Sequence, residues 1–376
     1  MALRILHLIH NLKREGAQTM VATLAMASNS SRVEAFVCPW RGGGSYAKDL
    51  RNAGVSVLEW PGAEGAPRAY ATMKLRRFAQ QQQIDLVHAH MSDSAVLAAA
   101  ALSGTGIPFI VTHHSNRLLP KERPVKSALR SALTKWATGR ASRNIGVTNA
   151  VSERLSLELR VSGERLETIS NGIAIPDDSR IIASGYHRQN RFTAQGGPRI
   201  VALGRLVGLK RHVMMIEALS RVRDTLPDAH LAIAGDGPER ETLAACIDRL
   251  NLGSHVTLLG SINDVGEFLS QADIFVSMSS YEGLPVSVLE AMSWGLPVII
   301  SDVPGHRDVV QDNIDGCLVP FDDVDALTGQ IIHLARHPSE AARMGSAARN
   351  KVIRDYSSVA MADNYLRLYT EILAKP

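Results

Sequence analysis

The sequence predicts an α/β protein made of two doubly wound, Rossmann-like domains, each with a parallel sheet. Three observations lead there. At 376 residues the chain exceeds what one compact domain usually holds. Its strand candidates are short continuous Val/Ile/Leu runs separated by helical patterns, as expected of strands covered on both faces. The alternation stops once, at a stretch rich in glycine and polar residues, and then starts again.

The first series opens with an apolar strand at 5–9 that contains one histidine, His7. A helical pattern follows at 16–28, and further strands are expected at 33–38, 55–58, 86–89, 109–112, 144–147 and 166–169. The segment 184–198 holds Gly185, Arg188, Gln189, Asn190, Arg191, Gln195, Gly196 and Gly197 and few large apolar residues, so it reads as the connection. We therefore expect domains at 1–185 and 196–355. The second series runs through 200–203, 231–234, 256–258, Ile274–Ser277, Val298–Ser301 and Cys317–Val319. In the last helical pattern, 358–373, Met361, Tyr365, Leu368 and Ile372 share one face. No repeat of 20–50 residues is visible.

Composition narrows the class. With 45% hydrophobic and 21% charged residues the chain is ordinary globular protein, which excludes disorder, collagen and coiled coil. A net charge of +4 permits anionic ligands without demanding them. Cys38, Cys246 and Cys317 are odd in number and far apart, which argues against a disulfide framework or a thiolate zinc site and favours a reducing, cytoplasmic setting. The apolar start is too short for a signal peptide and leads into Lys13-Arg14, while the run 95–102 is too short to span a bilayer.

Three segments carry chemistry. Glu282-Gly283-Leu284-Pro285-Val286-Ser287-Val288-Leu289-Glu290 follows a strand and opens a helix. Pro285 suits the first turn, Gly283 admits close approach, and the helix N-terminus offers free N–H groups to an anion. Glu282 and Glu290 could then hold hydroxyl groups on either side of a diphosphate. A plain helix start with an acidic first turn is the alternative. Gly204-Arg205-Leu206-Val207-Gly208-Leu209-Lys210 is a strand-end loop that can clamp phosphate through a forked guanidinium and a point charge, or else a solvated basic turn. Gly235-Asp236-Gly237-Pro238 has strong turn chemistry and reads as structural by itself. Neither a dinucleotide fingerprint nor a Walker A sequence is present, which removes the dehydrogenase and the commonest phosphate-transfer readings.

Together these segments resemble glycosyltransferase family 4. So do Gly295-Leu296-Pro297-Val298-Ile299-Ile300-Ser301-Asp302 and Gly316-Cys317-Leu318-Val319-Pro320, and the resemblance is dense over 199–335. In the N-terminal half, Asp85-Leu86-Val87-His88-Ala89-His90, Thr112-His113-His114 and Asn171-Gly172-Ile173 are similar to family segments. Two departures stand out. The family's Gly-Gly-Ala-Glu loop reads Glu15-Gly16-Ala17-Gln18, and Asp308 occupies the position of a late family glutamate.

The resemblance implies the GT-B fold, two domains facing across a cleft, with the last helix, 356–376, packing back on the first. It implies a retaining transferase that uses a nucleotide-diphosphate sugar, a UDP-sugar first and GDP-mannose next, and a glycan or lipid-linked acceptor in bacterial-type polysaccharide, lipopolysaccharide or glycoconjugate synthesis. Glu282 would contact the donor sugar and Glu290 the ribose. Arg205 and Lys210 would neutralise the leaving diphosphate, His114 would lie near the sugar, and Gly283, Leu284, Pro285, Gly16, Gly204 and Gly235 would shape the donor site. Because Arg205, Lys210 and the N–H groups after Gly283 do a divalent ion's work, no metal or other cofactor is expected. Two other readings are an epimerase of the same architecture and a silent sugar-nucleotide-binding subunit.

His88, His90, His113 and His114 fall at the ends of adjacent strands. A metal site is one reading, but no carboxylate or cysteine completes it at a recognisable spacing. Buried, hydrogen-bonded histidine is the alternative for His114. The basic segment 117–143 carries Val125, Leu129, Leu133 and Trp136 at helical spacing. It reads as a surface helix with its apolar stripe in the core, or as a peripheral contact with an anionic membrane at the inner face of the plasma membrane. Nucleic acid is not expected, because aromatic residues are too few to interleave with the basic ones.

Overall fold

The computed structural model describes residues 2–13, 16–58, 68–114, 124–177, 179 and 196–374. It divides into two compact units, Met1–Ala174 with Asp355–Pro376, and Ile175–Arg354. Most of the expected connection, 184–195, lies outside the described residues.

Unit 1 holds strands β1 (Leu3–Ile9), β2 (Val33–Pro39), β3 (Ser56–Val57), β4 (Leu86–His90), β5 (Phe109–His113), β6 (Arg143–Gly146) and β7 (Leu166–Thr168). All pair in parallel, in the order β3-β2-β1-β4-β5-β6-β7. The order reverses between β1 and β4, and their C-terminal ends form the crevice where such sheets bind ligands.

Side chains alternate across the sheet. Leu6, Leu8, Val87 and Ala89 pack under the helices Arg68–Gln81 and Met91–Ala101, with Leu75, Ala95 and Ala98 among them. Ile5, Leu86, Ile110 and Ile145 meet the last helix, Ser358–Ala374, through Met361, Tyr365, Leu368, Tyr369 and Ile372. That helix is strapped at its start, where Ile173 N donates to Tyr356 O at 2.8 Å and Ser358 N to Ile173 O at 2.8 Å.

Unit 2 repeats the architecture. Strands β8 (Arg199–Leu203), β9 (His230–Ala234), β10 (Val256–Gly260), β11 (Ile274–Ser277), β12 (Val298–Ser301) and β13 (Cys317–Val319) pair in parallel in the order β10-β9-β8-β11-β12-β13. The reversal falls between β8 and β11. An aspartate ties the two central strands in each unit. Asp85 Oδ2 accepts from Arg4 N at 2.7 Å, and Asp273 Oδ2 from Arg199 N at 2.7 Å.

One expectation is corrected. In the helix Pro124–Arg140 two residues of the apolar stripe do not face the core: Leu129 is 65% and Trp136 43% exposed. Thr134, Ala137 and Thr138 are buried instead. Small side chains let this helix approach the alanine-rich helix Met91–Ala101, and Leu or Trp would hold the two apart. The Arg140 guanidinium lies 5.9 Å from the Trp136 ring centre. Residues 117–123 of the basic segment are outside the described residues. No described helix is long and apolar enough to cross a membrane.

Candidate active site

The charged site lies at the crevice of unit 2. After β8 the chain turns through Gly204 and Arg205 into a 3-10 turn, Gly208–Lys210, and after β11 it reaches Ser279 and Glu282. The Lys210 ammonium donates to Glu282 Oε1 at 2.5 Å, and the Ser279 hydroxyl donates to the same oxygen at 2.6 Å. The two loops are joined by backbone, since Ser280 N donates to Leu209 O at 2.9 Å. The Lys210 and Glu282 side chains are 21% and 12% exposed. Each therefore needs its partner, because removing one half of a half-buried pair strands the other charge.

The scaffold behind Glu282 is polar and tightly packed. The Ser301 hydroxyl donates to Ser279 O at 2.5 Å, and His306 Nδ1 donates to Ser301 O at 2.8 Å. Burial holds the His306 imidazole below its usual pKa, so the ring is neutral at pH 7. A Cβ on Gly305 would lie 2.5 Å from Glu282 O, so glycine there lets Pro304–Arg307 lie against the Glu282 loop. Gly235 has a φ of +138° and a Cβ there would fall 1.9 Å from Gly204 O. Hence the Gly235 turn interlocks with the Arg205 loop.

Arg205 is exposed and forms no ion pair among the described residues. The carbon stem of Lys210 runs within 3.5 Å of where a Gly204 Cβ would be, so glycine leaves room for that stem. The helix Val286–Ser293 starts beyond Glu282, with Pro285 as its N-cap residue rather than inside its first turn. Gly283 and Leu284 are half-buried between Glu282 and this helix. Desolvation raises the Glu290 carboxyl to about 7, which makes it the most strongly perturbed carboxyl group among the described residues.

Unit 1 presents neutral rings at its own crevice. His88 bonds to Tyr369 OH and Thr112 Oγ1, both at 2.7 Å, and Thr112 Oγ1 meets Tyr365 OH at 2.9 Å. His90 lies between His7 and His114. Burial lowers His7 and His114 to about 3 and His113 to about 4, and holds His88 and His90 well below the ordinary histidine range. His7, His88 and His90 place one nitrogen each within 4.8 Å of one another. A cation there would have to displace the bonds that both His88 nitrogens make to Tyr369 and Thr112 and the bond between His7 and His90. Gly16 opens the helix Gly16–Ser28, is exposed, and has open space where a Cβ would be. Gln18 beside it is buried and donates to Asn11 Oδ1 at 3.1 Å.

The structure thus brings Arg205, Lys210, Glu282, Gly283, Gly204 and Gly235 to one crevice, with Glu290 in the helix that follows. It places His114 and Gly16 in the other unit. Sequence reasoning missed Ser279, Ser301 and His306 behind Glu282, and His7, Tyr365 and Tyr369 around the histidines. The Pro304-Gly305-His306 turn was the one available signal for the former. The latter meet through strand register and the returning helix.

Residues 4–175 match the model described as Glycosyltransferase Family 4, and residues 186–351 the model described as Glycosyl transferases group 1. The chain belongs to glycosyltransferase family 4. The enzyme is 26% identical over 306 residues to the UDP-Gal:alpha-D-GlcNAc-diphosphoundecaprenol alpha-1,3-galactosyltransferase of Escherichia coli, covering 80% of this chain and 79% of that one. It is 26% identical over 356 residues to the GDP-mannose-dependent alpha-(1-6)-phosphatidylinositol monomannoside mannosyltransferase of Mycolicibacterium smegmatis, covering 90% of each. The crystal structure of Anabaena Alr3699/HepE in complex with UDP is similar to this glycosyltransferase with a TM-score of 0.81, at 20% identity, over 99% of this chain and all of that one. The fold is that of GT-B glycosyltransferases.

Proposed function

We propose that this glycosyltransferase moves a sugar from a nucleotide-diphosphate donor, with retention, to a glycan or lipid-linked acceptor. The observation that carries the reading is the Lys210–Glu282 pair at the β8/β11 crevice, beside Arg205 and the start of the helix Val286–Ser293. A departing diphosphate develops negative charge. Lys210 and Arg205, with the positive dipole end of that helix, are the groups that would meet it. With two such cations, a divalent ion is not required.

Glu282 would hold the donor sugar, Glu290 the ribose, and His114 of unit 1 the transferred sugar. Gly283, Leu284, Pro285, Gly204, Gly235 and Gly16 would shape the donor's surroundings. No carboxylate is assigned as a nucleophile. The bond from the anomeric carbon to the diphosphate oxygen breaks while the acceptor oxygen bonds on the same face, and the leaving phosphate takes the acceptor's proton. Names of relatives support a UDP-sugar first and GDP-mannose next, and both carry a lipid in the acceptor. The exposed Leu129 and Trp136 on a basic helix support peripheral contact with an anionic membrane, at the cytoplasmic face, in polysaccharide or glycoconjugate synthesis.

Thermal stability against UDP-, GDP-, ADP- and dTDP-sugars in EDTA, with NAD as a control, tests the donor site. A ligand at a hundred times its dissociation constant adds about 2.7 kcal/mol. A shift with one sugar nucleotide is expected. No shift, or one that needs NAD or added metal, overturns the reading. Conversion of the donor without any acceptor would make the enzyme an epimerase.

A further inference from the structure

Three imidazoles of unit 1 form one hydrogen-bonded file. His7 Nδ1 lies 3.2 Å from His90 Nε2, and His90 Nδ1 lies 3.1 Å from His114 Nε2. His7 and His90 are fully buried, and His114 is half-buried at the end of β5. The two outer nitrogens, His7 Nε2 and His114 Nδ1, are buried without a hydrogen-bond partner among the described residues.

A neutral imidazole has one N–H and one lone pair. Burial keeps all three rings neutral. Such a file has two complete proton orders. In the first, His7 Nδ1 donates to His90 Nε2, and His90 Nδ1 donates to His114 Nε2. His114 Nδ1 then carries a proton and is a donor. In the second, every bond reverses and His114 Nδ1 is an acceptor. Any mixed order sets two N–H groups or two lone pairs against each other and loses a buried bond.

We infer that His7 and His90 are positioning residues that fix the tautomer of His114, and so decide whether its Nδ1 carries a proton or a lone pair. This rests on the reading that His114 touches the transferred sugar. The file orders protons and does not conduct them, because a proton reaching His7 Nε2 finds no described partner to pass to. His88 stands outside the file, with both nitrogens taken by Tyr369 and Thr112, and its ring centre lies 4.0 Å from that of His90. It supports the His90 ring without sharing its protons.

The test uses the full chain with 15N-labelled histidine. Long-range proton–nitrogen spectra of the rings report each tautomer, and kcat and KM for the donor are measured beside them. One His114 tautomer is expected in the wild type. His7→Phe keeps a ring in place but removes the outer link. It does not replace an atom bonded to His114, so a change at His114 must pass through His90. In both His7→Phe and His90→Phe, the His114 signals are expected to become a mixture of tautomers. Turnover is expected to fall about ten- to a hundredfold, as when a group that orients a functional side chain is lost, with the donor KM within about twofold. Tyr369→Phe, which perturbs the same core through His88, leaves the His114 tautomer unchanged. Mixed His114 tautomers in the wild type, or an unchanged single tautomer in His7→Phe and His90→Phe, overturn the inference. Should His90→Phe not fold, His7→Phe and the wild-type spectrum still decide. If the tautomer responds but His114→Ala retains full turnover, the file stands and the sugar contact of His114 falls.

Discussion

The two units share one strand order over six strands, unit 1 adding β7 at its edge, and the same aspartate strap between their central strands, and each sets polar side chains at its reversal point. Their electrostatics are opposite. Unit 2 ends in a paired ammonium and carboxylate that solvent still reaches, with a guanidinium beside them that forms no ion pair among the described residues. Unit 1 ends in a file of neutral imidazoles, two of them fully buried and the third half-buried. The difference shows what each crevice can receive. Charges that must meet a diphosphate have to stay near water, because desolvating them alone costs too much. Rings that only need to present one N–H or one lone pair can be buried, and burial is what keeps them neutral.

The largest effects belong to the charged crevice. Glu282→Ala, Lys210→Ala and Arg205→Ala should each lower turnover by at least about a hundredfold, the usual loss for one charge-stabilising group. Melting curves separate them further. Arg205→Ala should leave stability within about 0.5 kcal/mol, as an exposed residue does, while Lys210→Ala strands Glu282 and lowers the melting temperature. Near-normal turnover in all three would break the contrast.

Next is pH. Ionised Glu290 accepts from ribose hydroxyls more strongly than the protonated carboxyl does, so donor affinity should weaken as pH falls below about 7. Isothermal titration of Glu290→Gln should give a flat profile. The stability sign is the reverse. The folded carboxyl keeps its proton to about 7 against 4.5 unfolded, so its contribution declines as pH rises through that window. Glu290→Gln should therefore melt higher than wild type at pH 8 and no higher at pH 4.

Unit 1 should respond to acid in the opposite sense. His7 and His114 titrate near 3 when folded and near 6.5 when unfolded, so their contribution is present above 6.5 and is lost as pH falls toward 3. Wild-type melting temperature should drop between pH 6.5 and 4 more steeply than that of His7→Phe. Parallel curves would mean the rings are not held neutral. The smallest effect on the fold is expected from Trp136→Ser and Leu129→Ser, within about 0.5 kcal/mol. Both should reduce co-sedimentation with phosphatidylglycerol vesicles, and unchanged binding would remove the membrane contact.

Much of the fold was legible because a buried parallel strand has a simple signature. Runs such as 274–277 and 298–301 are apolar on both faces, and turns such as Gly235-Asp236-Gly237 punctuate them. The charged crevice was legible too, since Glu282, Arg205 and Lys210 sit in segments dense with glycine and proline. What was illegible is which of them pair. Lys210 and Glu282 are 72 positions apart, and only the adjacency of β8 and β11 brings them to 2.5 Å. Periodicity also misplaced the stripe of Pro124–Arg140, because it identifies an apolar face without saying what that face meets.

By itself the sequence determined the class, since two alternating series leave few ways to bury both sheet faces. It also determined the family, through local segments whose turn and phosphate chemistry is read over a few residues. The tertiary structure alone decided the histidine file. The pairing of β1 with β4 and of β4 with β5 brings His7, His90 and His114 within hydrogen-bond reach across 83 and 24 positions, and the returning helix brings Tyr369 across 281 positions to His88. Those contacts depend on the packing of distant strands, and no local pattern of residues encodes that distance.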